Sequence, residues 1–99
     1  MKIMVQWEVH PDQRAEVFAA FASMDLEEYQ EGGGPTVTTL GRWHDVINGR
    51  GVSIAETDDP DALSRWLLAW NVGVDFEISI VHTDEEAHAM IRDHLASQD

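Results

Sequence analysis

Residues 2–21 read KIMVQWEVHPDQRAEVFAAF, and residues 51–70 read GVSIAETDDPDALSRWLLAW. Each stretch passes from alternating apolar positions, the period of a half-buried strand, through a Pro-Asp step into apolar residues at helical spacing. In the first, Ile3, Val5, Trp7 and Val9 share one strand face and Met4, Gln6 and Glu8 the other, while Val17, Phe18 and Phe21 make the helical stripe. In the second, Leu63, Trp66, Leu67 and Trp70 stand at i, i+3, i+4 and i+7. Proline suits a first helical position because its missing N–H would have no partner there, and Asp59 offers an N-cap oxygen just before Pro60. Setting Pro11-Asp12 over Pro60-Asp61 lays Val17, Phe18 and Phe21 over Trp66, Leu67 and Trp70. The chain therefore reads as two strand-helix-strand units.

Working outward, a second strand is expected over about 37–44 and a third over 51–57, with Asn48-Gly49 as a tight hairpin turn tolerating positive φ. A fourth strand is expected over 74–81. The last helix starts at Thr83, where Thr83 and Glu86 fit a capping box ahead of an Ala87, Met90, Ile91 and Leu95 stripe. Residues 25–35, DLEEYQEGGGP, lack apolar periodicity and read as a loop, either a lid carrying Tyr29 or a solvated connector. Two strand-helix-strand units joined by a hairpin imply an α+β, ferredoxin-like βαββαβ fold: four antiparallel strands with both helices on one face, plus a C-terminal helix. The other face then carries Met4, Leu40, Ala55 and Val81 among polar residues and needs a cover. A second copy can supply it, which predicts a dimeric α+β barrel with a space between the two sheets.

Composition sets bounds on this reading. Residues 1–99 are expected to form one domain, because a chain of 99 residues has no room for a second core. It has no cysteine to staple a small core, so a subunit interface is the remaining source of buried area. Nineteen Asp and Glu face six Lys and Arg, a formal net charge of −13, with Lys2 the only lysine. A polyanion needs clustered cations to displace its counterions, so neither nucleic acid nor an anionic membrane surface is an expected partner. The first residues alternate as a strand and lack the uncharged core of a secretory signal, so a cytoplasmic location is the expectation.

The densest polar and aromatic cluster is Gly41-Arg42-Trp43-His44-Asp45. Alternation puts Arg42 and His44 on one face and Trp43 on the other. A two-residue turn at Asn48-Gly49 would set Trp43 opposite Ile54 and His44 opposite Ser53, with Trp43 toward the helices. Arg42 and His44 would then point into the space between sheets, with Glu8 and Glu77 on neighbouring strands. Arg42 can hold a carboxylate, and His44, the candidate catalytic group, can move a proton near neutral pH. Glu8 or Glu77 can orient the imidazole. The competing reading is a solvated or dimer-spanning ion-pair network. Trp7 and Trp43 either fill the core or line the pocket; Trp66 and Trp70 belong to the core by their spacing. The five histidines lack zinc-type spacing, so no metal site is expected. No glycine-rich loop leads into a helix, and no bound cofactor is expected.

The segments KIMVQWEVHPD, LGRWHD and ETDDPDAL, with the Trp70-Asn71 pair, resemble a group of small bacterial proteins classed as a domain of unknown function. That resemblance covers most of the chain and implies the dimeric α+β barrel superfamily, a βαββαβ topology and a homodimer. It carries no catalytic residues across. The function expected is a small dimeric α+β barrel protein that binds or transforms a small organic molecule in the inter-sheet cavity, with Arg42 and His44 as polar anchors and Trp7 or Trp43 as walls. The alternative is a noncatalytic structural or protein-interaction homodimer. A cavity of about 300 Å³ or more beside His44 favours the first and a filled interface the second.

Overall fold

The computed structural model describes residues 1–98. Its elements in order are β1 (Lys2–Val9), a 3-10 turn (Pro11–Gln13) leading into α1 (Arg14–Ser23), α2 (Leu26–Gln30), β2 (Val37–Asp45), β3 (Arg50–Thr57), α3 (Pro60–Leu68), β4 (Val74–Val81) and α4 (Asp84–Ala96). The strands make one antiparallel sheet in the order β2-β3-β1-β4. This is the order that two β-α-β units joined through a β2–β3 hairpin produce.

Alternation along β1 sorts the sheet into two faces. Ile3 stands opposite Ala55 and Ile80, Val5 opposite Ser53 and Ile78, and Trp7 opposite Gly51 and Phe76. On this face Ile3, Val5, Val37 and Ala55 are buried beneath Leu63 of α3, with Trp66, Leu67 and Phe76 packed around them. Met4, Gln6 and Glu8 lie on the other face, opposite Ile54, Val52 and Arg50. Asp59 starts α3 by accepting from the Ala62 N–H at 3.1 Å, and its second oxygen takes the Thr36 hydroxyl at 3.0 Å. One carboxylate thus caps a helix and holds the entry to β2.

Three features depart from the sequence expectation. The first is the 25–35 segment, which holds a helix: Asp25 caps α2 by accepting from the Glu27 and Glu28 N–H groups at 2.9 and 3.3 Å. Gly32 and Gly33 are pressed onto Trp66 of α3. A Cβ on Gly33 would lie 2.9 Å from the Trp66 ring and 2.8 Å from Val37, so the absent side chain is what lets this segment close over them.

The second is the register of β2. The hairpin connection comprises residues 46–49, with Asp45 paired to Arg50, and only Gly49 adopts a left-handed φ, of 66°. Trp43 therefore pairs with Val52 and His44 with Gly51, two residues from the expected partners. The ladder also skips a residue, since Thr39 pairs with Ala55 and Gly41 with Ile54. Leu40 is the extra residue of a β-bulge. An inserted residue moves every later side chain to the opposite face. Val37 and Thr39 thus share the helix-covered face with Arg42 and His44, and Trp43 turns to the open face, 62% exposed. Trp43 shares a face with Ile54, as expected, but the face of β3 that meets the helices is that of Gly51, Ser53 and Ala55, which pair with Trp7, Val5 and Ile3. This corrects the expectation that Trp43 meets the helices, and with it the placing of Ala55 on the open face, since Ala55 is buried under α3.

The third is α4. Thr83 and Glu86 form the expected capping box, with reciprocal bonds of 2.9 and 3.2 Å, but no residue of the helix is buried. Met90, Ile91 and Leu95 are each more than half exposed.

Candidate functional site

Helix α1 does not settle directly on the sheet. Its N-terminal end is pinned at two points. The His10 N–H donates to the Gly73 carbonyl at 2.9 Å, and the Arg14 guanidinium donates to the Asn48 carbonyl at 3.0 Å. Between these anchors and α3, side chains hold the helices and sheet apart around a cavity of about 330 Å³ that opens to solvent. Its wall is mostly apolar. β1 supplies Val5, Trp7 and Val9, α1 supplies Val17, Phe18 and Phe21, and the α3 region supplies Trp66, Leu67 and Trp70.

Rings meet edge to face around this cleft, the arrangement favoured by their quadrupoles. Phe21 and Tyr29 lie 4.9 Å apart between centroids at 80°, and Tyr29 and Trp70 lie 6.0 Å apart at 88°. His44 joins the same wall, with its ring 5.3 Å from Trp7 and 5.2 Å from Phe21. Gly51 makes room for this packing, because a Cβ there would run into the Trp7 indole.

The half-buried Arg42 places its guanidinium carbon 4.4 Å from the centroid of Tyr29 and 5.2 Å from that of Trp66. Cation–π attraction holds it there. Burial lowers the Arg42 pKa, with the Tyr29 phenol working against the shift, yet a guanidinium stays charged at neutral pH. Burial raises the Tyr29 pKa, which Arg42 partly opposes, so the phenol keeps its proton. Burial and then the Arg42 charge lower the His44 pKa, leaving a neutral imidazole at pH 7. The cleft can therefore surround a planar apolar molecule, present one positive charge, and offer a neutral imidazole to a proton.

Of the residues singled out in the sequence, Trp7, Arg42 and His44 come together in this cleft. They do so beneath the helices of a single chain and not toward a space between sheets, because the β3 residues that Arg42 and His44 pair with, Ser53 and Gly51, stand opposite Val5 and Trp7 on the helix-covered face. Glu8 and Glu77, paired respectively with Arg50 and Gln6, are exposed on the opposite face with Trp43 and do not reach Arg42 or His44. Neither can orient the imidazole within this chain. Tyr29, Phe21, Trp66 and Trp70 join the site although their spacing marks them as core or loop. The signal for Tyr29 was Asp25-Leu26-Glu27-Glu28, an N-cap residue followed three positions later by Glu. Among the described residues no group of three or more His, Asp or Glu side chains comes together as metal ligands would. No helix among them is long and apolar enough to cross a membrane.

A family model described as a domain of unknown function (DUF3303) matches residues 1–95. Neither a curated protein nor a solved structure matches the chain.

Proposed function

We propose, from the premise that the chain belongs to the DUF3303 family and that this description names no activity, that it binds a small organic molecule in the cleft between helices and sheet. The observation that carries this reading is the 330 Å³ cavity itself, walled by aromatic side chains with Arg42 and His44 inside it. Protein interiors pack closely, and a volume of roughly 300 Å³ or more is the size at which ligand sites begin. Arg42 and His44 are the polar anchors and Trp7 is a wall. Trp43, Glu8 and Glu77 belong to the open face and to the interface described next.

In this reading a second copy completes the molecule as an α+β barrel. Support comes from α4, because an isolated helix of 13 residues is marginal in water and this one leaves its apolar stripe uncovered. Further support comes from the open sheet face, where Trp43 lies bare beside Val52 and Ile54. The same observations favour the second reading, a noncatalytic structural homodimer, if the cleft holds only water.

Native mass spectrometry of freshly purified protein, with a thermal-shift screen of small organic molecules, separates the two. The binding reading expects a retained or stabilising ligand that His44→Ala loses while the protein remains folded. A ligand retained equally by His44→Ala removes that residue from the site. A protein that neither retains nor responds to any ligand favours the structural homodimer.

A further inference from the structure

We propose that the ligand of the cleft is a planar aromatic carboxylate of one or two rings, its carboxylate gripped by Arg42 and its rings held among the aromatic side chains around it. This deepens the binding reading above and rests on it.

The chain carries nineteen Asp and Glu side chains, yet among the described residues no carboxylate lies within 4.0 Å of the Arg42 guanidinium. Among the described residues its one side-chain hydrogen bond is a long one, 3.4 Å to the Thr39 hydroxyl, so most of its five N–H donors have no partner among them. A cation drawn partly out of water and stacked on two rings, in a protein otherwise so acidic, is a fork left open for an anion. A carboxylate matches that fork with two parallel hydrogen bonds.

The charge of the site selects the anion. Arg50, whose position is on the opposite sheet face, is already neutralised by Asp45 at 3.1 Å, and Arg14 is not among the residues that line the cleft. His44 is neutral at pH 7. One positive charge therefore remains, and a monoanion balances it. A phosphate dianion would leave a charge uncompensated against an apolar wall.

The wall selects the body of the ligand. Trp7, Phe21, Tyr29, Trp66 and Trp70 offer faces and edges that a ring system engages and a flexible alkyl chain does not. A cavity of about 150 Å³ accommodates benzene. The present cleft, at about 330 Å³, has room for two rings and a carboxylate.

The test is calorimetric titration of the wild-type protein with 2-naphthoate, with 2-naphthamide, which has the same shape and no charge, and with octanoate, which has the charge and no rings. Naphthoate is expected to bind at least tenfold more tightly than either. Arg42→Gln is expected to erase the advantage over the amide, and Arg42→Lys to keep part of it because the charge remains without the fork. Bound naphthoate should also raise the His44 titration midpoint seen by NMR by offsetting the Arg42 charge, and the amide should not. Equal binding of naphthoate and naphthamide overturns the role of Arg42 and leaves cleft binding intact. Octanoate binding as tightly as naphthoate overturns the aromatic specificity. Failure of all three compounds to bind overturns this inference together with the binding reading. Should Arg42→Gln not fold, the comparison of the three compounds on wild-type protein still decides.

Discussion

At the scale of single residues, two histidines are driven in opposite directions from the ordinary value of 6.5. His10 is raised, chiefly by its hydrogen bond to Asp75 at 2.9 Å. His44 is lowered by burial first and by Arg42 second. Between the lowered His44 value and 6.5 the unfolded chain binds the proton more readily than the folded one, so this site costs stability as pH falls through that interval. His10 contributes stability that is fully present below 6.5 and fades as pH rises through its raised value. NMR titration should find the His44 midpoint below 6.5 and the His10 midpoint above it. In Arg42→Gln the His44 midpoint should rise yet stay below 6.5, because burial is the larger cause. A midpoint in that variant at or above 6.5 would show that the cleft does not desolvate the imidazole.

At the scale of elements, the face that each strand presents decides where chemistry can occur. β1 and β4 keep an unbroken period of two; burial follows it along β1, while in β4 Val74 is buried but Ile78 and Ile80 on the same face are exposed. β2 does not keep that period, because Leu40 is looped out of the ladder. Two glycines serve the packing around the hairpin: Gly41 lets the Trp43 ring lie across it on the open face, and Gly51 does the same for Trp7 beneath the helices. Gly51→Ala inserts a methyl group into the Trp7 indole, and overpacking of this kind costs about 1–3 kcal/mol. Urea unfolding should report that loss, and the displaced indole should narrow the cleft and weaken any ligand it holds. A variant as stable as wild type would mean that Trp7 can move freely. Leu63→Ala removes the side chain at the centre of the core, 6% exposed among Ile3, Val5, Val37 and Ala55. A cost of about 2–5 kcal/mol is expected, read from the shift in the urea midpoint at unchanged slope.

At the scale of the whole molecule, the described chain is extended and thin. Its radius of gyration is 16.2 Å and its extents are 55 × 29 × 19 Å. A compact chain of this length has a radius of about 13 Å. The excess accompanies a terminal helix that buries none of its residues. Light scattering should therefore give a mass of twice the 11.1 kDa protomer, and Ile91→Lys, which puts a charge into the exposed stripe of α4, should shift the protein toward monomer. A wild-type protein that remains monomeric at high concentration would remove the second copy from the proposed assembly.

The elements and their order are legible in the chain alone, because they rest on local physics. Strand alternation, proline at a helix start, the Asp59 cap and the Thr83–Glu86 box each act over a few residues, and each can be read where it stands. The chain alone also singles out Trp7, Arg42 and His44. Which way Arg42 and His44 face, and hence that the cleft lies under the helices of one chain, depends on strand pairing across the whole sheet. That choice turns on β1, which seats Ser53 and Gly51 of β3, and with them Arg42 and His44 of β2, on the face the helices cover, while the bulge at Leu40 lets Val37 at the start of β2 reach the same face. No local signal marks the bulge, because the extra residue has no preference of its own. Its position is where the pairings on either side agree to meet.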